Sequence, residues 1–255
     1  MHRLTEVAAG VLVATSDVYV TTSTVVVGRD GGCLVIDPAV TGSDLRLLAA
    51  DLAEAGLRPT IGFATHPHWD HVLWCGELGD VPRYAARRAV DTAQRERAAL
   101  VASIQAAAPG HQLELCGQLT AVGPDPAVLP WAGPDALVVT HDGHAPGHSA
   151  IFLPDTGTLV AGDMCSDIEI PLLDLTVPDP IGDYRTGLDR LAALPVRQVV
   201  PGHGTVAAEA EFRRRVAADI GYLDELARGA DPRDQRLTVD WLIAEHEQQV
   251  RRSRS

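Results

Sequence analysis

The stretch Thr65-His66-Pro67-His68-Trp69-Asp70-His71 decides how this chain is read. Four metal-capable side chains, His66, His68, Asp70 and His71, follow directly on Ile61 to Thr65, a short apolar run that reads as a buried strand. A strand end holds the backbone while the loop after it turns side chains inward. Imidazole and carboxylate are donors that zinc and similar divalent ions accept. His66 and His68, one residue apart, can face a single ion. Asp70 and His71, read as the start of a helix, can face a second.

Around this motif the chain reads as alternating strands and helices. Val11–Ala14, Val18–Val27 and Cys33–Ile36 read as consecutive strands, with Val7 to Ala14 belonging to the first. Leu45 to Ala55 repeats apolar residues at helical spacing behind Ser43, a candidate cap, and Gly56 ends it. A polar helix is expected over residues 85–108, stopped by Pro109-Gly110, and irregular chain over 117–134. Strands resume at Ala136–Thr140, Ala150–Leu153 and Thr158–Ala161. A helix over Asp183–Leu194, a strand over Arg197–Val200 and a mostly helical segment over 206–255 complete the pattern. Strands followed by helices, twice over, suit an α/β fold with two sheets sandwiched between helices, in one domain spanning 1–255. The C-terminal helices are expected to pack on that domain or to form the seam of a homodimer.

Composition narrows the function classes. With 255 residues, 46% hydrophobic and 22% charged, the chain can bury a sizeable core. Its formal charge of −13 repels nucleic acid and anionic membranes, so a small-molecule substrate is expected. There is no Lys at all, which excludes Schiff-base chemistry. No apolar run approaches the roughly 20 residues of a membrane helix. Glu6 stands just before the apolar run at Val7, which argues against a secretion signal. The scattered Cys33, Cys75, Cys116 and Cys165 suggest reduced thiols and a cytoplasmic location.

The HxHxDH pattern of His66, His68, Asp70 and His71 resembles the signature of the metallo-β-lactamase fold family. That family expects a later His, an Asp behind a strand, and a His near the end. His148 in Ala145-Pro146-Gly147-His148-Ser149, Asp163 in Val160-Ala161-Gly162-Asp163, and His203 in Pro201-Gly202-His203-Gly204 match in order. The resemblance implies a four-layer αβ/βα sandwich of two mixed β-sheets flanked by helices. It implies one ion on His66, His68 and His148, a second on Asp70, His71 and His203, and Asp163 bridging them. A bridging Asp is typical of glyoxalase II-like, lactonase-like and phosphodiesterase branches and usually absent from antibiotic-degrading lactamases. Asp37, in Val35-Ile36-Asp37-Pro38, matches a recurring Asp that orients a ligand histidine through its other N–H. Where relatives have small Gly residues after the motif, this chain has Val72-Leu73-Trp74-Cys75, which reshapes the wall beside the second ion.

The expected chemistry is that of a binuclear metallo-hydrolase, with zinc as the expected metal and iron or manganese as alternatives. Two ions about 3.5–4 Å apart share a hydroxide and polarise the substrate oxygen, so no covalent nucleophile is needed. Asp70 and Asp163 are the catalytic carboxylates, and Trp69, Trp74 and Tyr184 the candidate substrate contacts. His141 and His144 fall outside the expected ligands and read as their neighbours or as exposed residues. The expected substrate is a small thioester, lactone or other ester. A phosphodiesterase for a small nucleotide and a one-iron dioxygenase of the persulfide-oxidising type are the alternatives.

Overall fold

The computed structural model describes residues 1–38, 40–124 and 126–254. Strands β1 (Thr5–Ala8), β2 (Val11–Thr15), β3 (Thr22–Val27) and β4 (Gly32–Ile36) form an antiparallel meander. The single strand expected across Val7 to Ala14 is a hairpin instead, because Gly10, at φ +69°, turns the chain between β1 and β2. Val11, Val13, Leu34 and Ile36 face one side of this sheet, while Ala14, Cys33 and Val35 face the other. Strands β5 (Arg58–Phe63), β6 (Arg83–Ala85) and β7 (Thr120–Ala121) extend it in parallel, giving the order β1 to β7. A second mixed sheet runs β13-β12-β11-β10-β9-β8. Its strands are β8 (Ala127–Val128), β9 (Leu137–Thr140), β10 (Ser149–Leu153), β11 (Thr158–Gly162), β12 (Gln198–Pro201) and β13 (Ala207–Ala208).

Three apolar clusters show the layering. Phe63, Ile36 and Leu34 of the first sheet meet Ile151, Val160 and Val200 of the second in a core between the sheets. Helices α1 (Gly42–Glu54), α2 (Arg87–Arg95) and α3 (Arg97–Ala107) cover the outer face of the first sheet. The outer face of the second is covered by α4 (Pro180–Ala192), α5 (Glu209–Ala227) and α6 (Asp240–Ser253). The fold is therefore the four-layer sandwich expected from the sequence. Three local expectations change. Thr41, not Ser43, caps α1, because Thr41 Oγ1 accepts from Asp44 N at 3.1 Å while Asp44 Oδ2 accepts from Thr41 N at 3.2 Å. The long helix over 85–108 breaks at Glu96, whose ψ of 15° interrupts the run. No regular helix begins at Asp70: Leu73, Trp74 and Cys75 are drawn into the outer core of the first sheet instead.

Parallel pairing is what assembles a site from distant residues. β4 and β5 run side by side, so the segments after them bring Asp37 next to Thr65 and His66. β11 and β12 do the same for Asp163 and His203. Thr22 N donates to Gly202 O at 2.8 Å and stitches the two sheets together at this end.

The C-terminal segment is tied in by a buried ion pair. Arg236 Nη1 lies 2.6 Å from Asp219 Oδ1, with both side chains almost wholly buried. The same nitrogen donates to Glu169 O at 2.8 Å. Arg236→Ala strands the Asp219 charge and is expected to cost about 3–5 kcal/mol in urea unfolding. The Arg236→Met, Asp219→Leu double variant is expected to recover most of that loss. Equal stability of the wild type and Arg236→Ala would show that the pair does not hold the segment.

Candidate metal centre

Asp37 sits at the end of β4 in left-handed backbone (φ 47°), which Asp tolerates better than most residues. Its buried carboxylate accepts from Thr65 N (2.8 Å), Thr65 Oγ1 (2.6 Å) and His71 Nδ1 (2.9 Å). Those bonds decide tautomers. Thr65 gives its hydroxyl proton to Asp37, so its oxygen accepts from His66 Nδ1 at 3.0 Å. His203 Nδ1 donates to Tyr19 O at 3.0 Å, and His144 Nδ1 to Leu172 O at 2.9 Å. In His66, His71, His144 and His203 the Nε2 lone pair is thus turned inward.

The inward nitrogens crowd one another. His71 Nε2 and His203 Nε2 are 3.3 Å apart. His68 Nδ1 is 3.0 Å from both His66 Nε2 and His144 Nε2. Lone pairs at such distances repel unless positive charge lies among them. Asp163 supplies the matching carboxylate. Its Oδ2 is 3.4 Å from His66, 3.5 Å from His144 and 3.4 Å from His203, and its Oδ1 is 3.2 Å from His71. Although buried, Asp163 Oδ1 has no hydrogen-bond partner among the described residues. Gly202 leaves room for it, since a Cβ there would stand 2.0 Å from that oxygen. Asp70 Oδ2 lies 3.4 Å from His203 Nε2 and 3.6 Å from His71 Nε2. The donors fall into two groups, His66, His68, His144 and Asp163 on one side and Asp70, His71 and His203 on the other. A third group, Asp163, Glu169 and His203, overlaps both. This donor set fits divalent metal.

Charge follows the same division. Burial holds the His68 imidazole down to about 4, and His66 and His144 are likewise lowered, chiefly by burial. These rings are neutral ligands at neutral pH. Burial also works against charge on His71 and His203, but the neighbouring carboxylates, led by Asp163, raise both well above the usual range. Burial pushes Asp70 and Asp163 up, and His71, the largest opposing influence, brings both below the usual carboxylate range. The carboxylates thus favour positive charge at the His71 and His203 nitrogens.

One expected ligand lies elsewhere. His148 Nε2 accepts the backbone N–H of Asp163 at 3.1 Å, and its Nδ1 lies 3.3 Å from His141 Nε2. Neither nitrogen faces the cluster. His144 takes that place, because the Ala145–His148 turn (His148 N to Ala145 O, 3.0 Å, with Gly147 at φ +71°) sets the two rings on opposite sides. His148 braces Asp163 from behind. The signal was present in the sequence as two histidines close together, Gly143-His144 and Gly147-His148, of which only packing selects one.

The substrate contacts also divide. Trp69 lines a cavity of about 740 Å³ above the cluster. Trp74 does not: it is buried and donates to Gly79 O at 2.9 Å. Tyr184 is a core residue beneath the second sheet's helices. Sequence reasoning missed Tyr19, Trp241 and Glu169, which do line the cavity. Burial pushes the Glu169 carboxyl up to about 7. No sequence motif marks these residues.

Residues 17–203 match the family model described as Metallo-beta-lactamase superfamily. A hydroxyacylglutathione hydrolase of Synechococcus sp. (strain JA-3-3Ab) is 34% identical over 51% of this chain and 42% of its own length. A probable metallo-hydrolase, YflN, of Bacillus subtilis (strain 168) is 27% identical over 58% of this chain and 66% of its own. The chain thus spans less than two thirds of the first relative and about two thirds of the second. Among solved structures, the metallo-beta-lactamase family protein TTHA1429 of Thermus thermophilus superposes with a TM-score of 0.68. It is 23% identical and covers 87% of this chain and 82% of that one, a likeness of fold.

Two predictions test the centre. Asp37→Asn cannot accept from both Thr65 and His71 as the carboxylate does, and is expected to weaken metal binding about 10- to 100-fold in chelator competition. His144→Ala is expected to bind less metal per chain than wild type, whereas His148→Ala keeps the metal and loses about 1–3 kcal/mol of stability. The reverse pattern would restore His148 as the ligand.

Proposed function

The chain belongs to the metallo-beta-lactamase superfamily, and on that premise we propose that it is a binuclear zinc hydrolase of small carbonyl substrates, thioesters, lactones or other esters. The observation that carries this reading is Asp163, whose carboxylate lies between the two imidazole groups. In this proposal His66, His68 and His144 hold one ion, Asp70, His71 and His203 the other, and Asp163 both. The relative whose name describes hydrolysis of a hydroxyacylglutathione supports a thioester. The four unpaired, buried thiols favour the reducing cytoplasm.

When bound, divalent ions lower the pKa of water and polarise a carbonyl oxygen. The chain's own residues do the rest. Asp70 lines the cavity and stays ionised, so it can accept a hydrogen bond from the attacking water and fix its direction. Asp37, through His71 and Thr65, prevents the rings from turning. Trp69, Leu172 and Leu173 give the cavity apolar walls that thin the water around the reacting carbonyl. Among the cavity's described residues there is no Ser, Cys or Lys to form a covalent intermediate, which favours direct attack by water.

Metal analysis of the purified protein, with a screen of thioester, lactone, phosphodiester and β-lactam reporters, tests the proposal. About two zinc per chain, thioester or lactone turnover, and loss of both turnover and metal in Asp163→Ala are the expected results. One iron per chain with no hydrolysis would overturn it.

A further inference from the structure

The wall of the cavity is acidic and aromatic. Beyond Asp70 and Asp163, the acidic side chains that line it are Glu96, Glu169, Asp174 and Glu245, and no Arg is among the described lining residues. The chain has no Lys to supply a cation there. Several of these carboxylates are locally occupied. Arg95 Nη2 lies 3.0 Å from Glu96, Thr176 bonds Asp174, and Gln248 donates to Glu245 at 3.2 Å.

Glu169 differs. Its residue is 7% exposed, yet no described residue gives its carboxylate a hydrogen bond or ion pair. Its backbone is fixed on both sides, by Ser166 Oγ accepting from Glu169 N at 3.1 Å and by Arg236 donating to its carbonyl. The carboxylate is therefore held within 4.8 Å of ligand atoms of Asp163 and His203, facing the cavity.

Three rings line the same cavity. Tyr19 meets Trp69 and Trp241 edge-on, each with centroids 6.4 Å apart. Tyr19 and Val20 both have positive φ, 54° and 51°, a strained turn for residues other than Gly. Trp241 and Glu245 come from α6, beyond the residues that match the family model. Gln249 Oε1 anchors that helix by accepting from Leu173 N at 2.7 Å.

Carboxylates with aromatic faces beside them form an environment for an organic cation. Taking the hydrolase reading as its basis, we propose that the substrate carries an ammonium group, bound between Glu169 and the rings of Tyr19, Trp69 and Trp241. An anionic leaving group finds no Arg or Lys among the described lining residues to pair with it. The net charge of −13 would also draw a cation toward the site.

The test uses the metal-loaded protein and tryptophan fluorescence, with choline and its uncharged carbon isostere 3,3-dimethylbutan-1-ol as probes. Choline is expected to bind about tenfold or more tightly than the isostere. Glu169→Gln and Trp241→Ala are each expected to shrink that preference several-fold, with the metal content of Glu169→Gln unchanged. Equal binding of the two probes, or binding of neither, would overturn the proposal. Loss of an ion from Glu169→Gln would overturn the role given to Glu169. The S-acetyl thioesters of the two corresponding thiols separate this proposal from the one beneath it. If choline is preferred but neither ester is cleaved, nor any reporter in the screen, the hydrolase reading fails while the cation site stands. Cleavage of both esters at equal rates leaves the hydrolase and removes the ammonium preference.

Discussion

A buried carboxylate, Asp37, carries the order of this site. Burying a charge is costly unless every acceptor position is used, and here three donors converge on it, two from Thr65 and one from His71. The consequence spreads through protons. Once Thr65 has given its proton to Asp37, His66 can only donate to Thr65, and its other nitrogen must face inward. His71 is fixed the same way. One acid at the end of β4 thereby sets the direction of two rings on the loop after β5, which no contact within that loop could do.

The second half of the centre is built by a different means. His144 and His203 are oriented by backbone carbonyls, Leu172 O and Tyr19 O, that belong to loops rather than strands. The loop of Leu172 is held in turn by Arg236 and Gln249, and Ser166 Oγ donates to His203 O. Core chemistry and substrate wall are therefore physically joined. Tyr19, which holds His203 through its carbonyl, also presents its ring to the cavity. The loop carrying Glu169 and Leu172 is tied to the C-terminal helices. A short chain of hydrogen bonds thus connects those helices to His144.

The first half was legible because short-range spacing and strand ends do most of the work there. His66, His68, Asp70 and His71 occupy one loop, and Asp37 follows an unmistakable apolar strand. Asp163 and His203 could be found only through the resemblance to the family, whose motif order they match, each in a Gly-containing turn after a strand. The choice between His144 and His148 was not legible, since both follow Gly and only the sense of one turn separates them. Trp74 and Tyr184 were misplaced for a related reason. An aromatic near a motif gives no sign of which side of a sheet it faces, and both rings fill cores.

By itself the sequence determined the layers, through period-two and helical alternation, and most of the metal-capable residues, through donors that have few other reasons to stand so close together. Tertiary structure alone decided which nitrogens converge, because ring direction depends on hydrogen bonds from residues up to 184 positions away. It alone decided the character of the cavity, since Tyr19, Trp69, Glu169 and Trp241 meet only when both sheets and the last helix have packed. Local pattern records what a residue can do; the direction it faces is set by partners that the chain brings together only on folding.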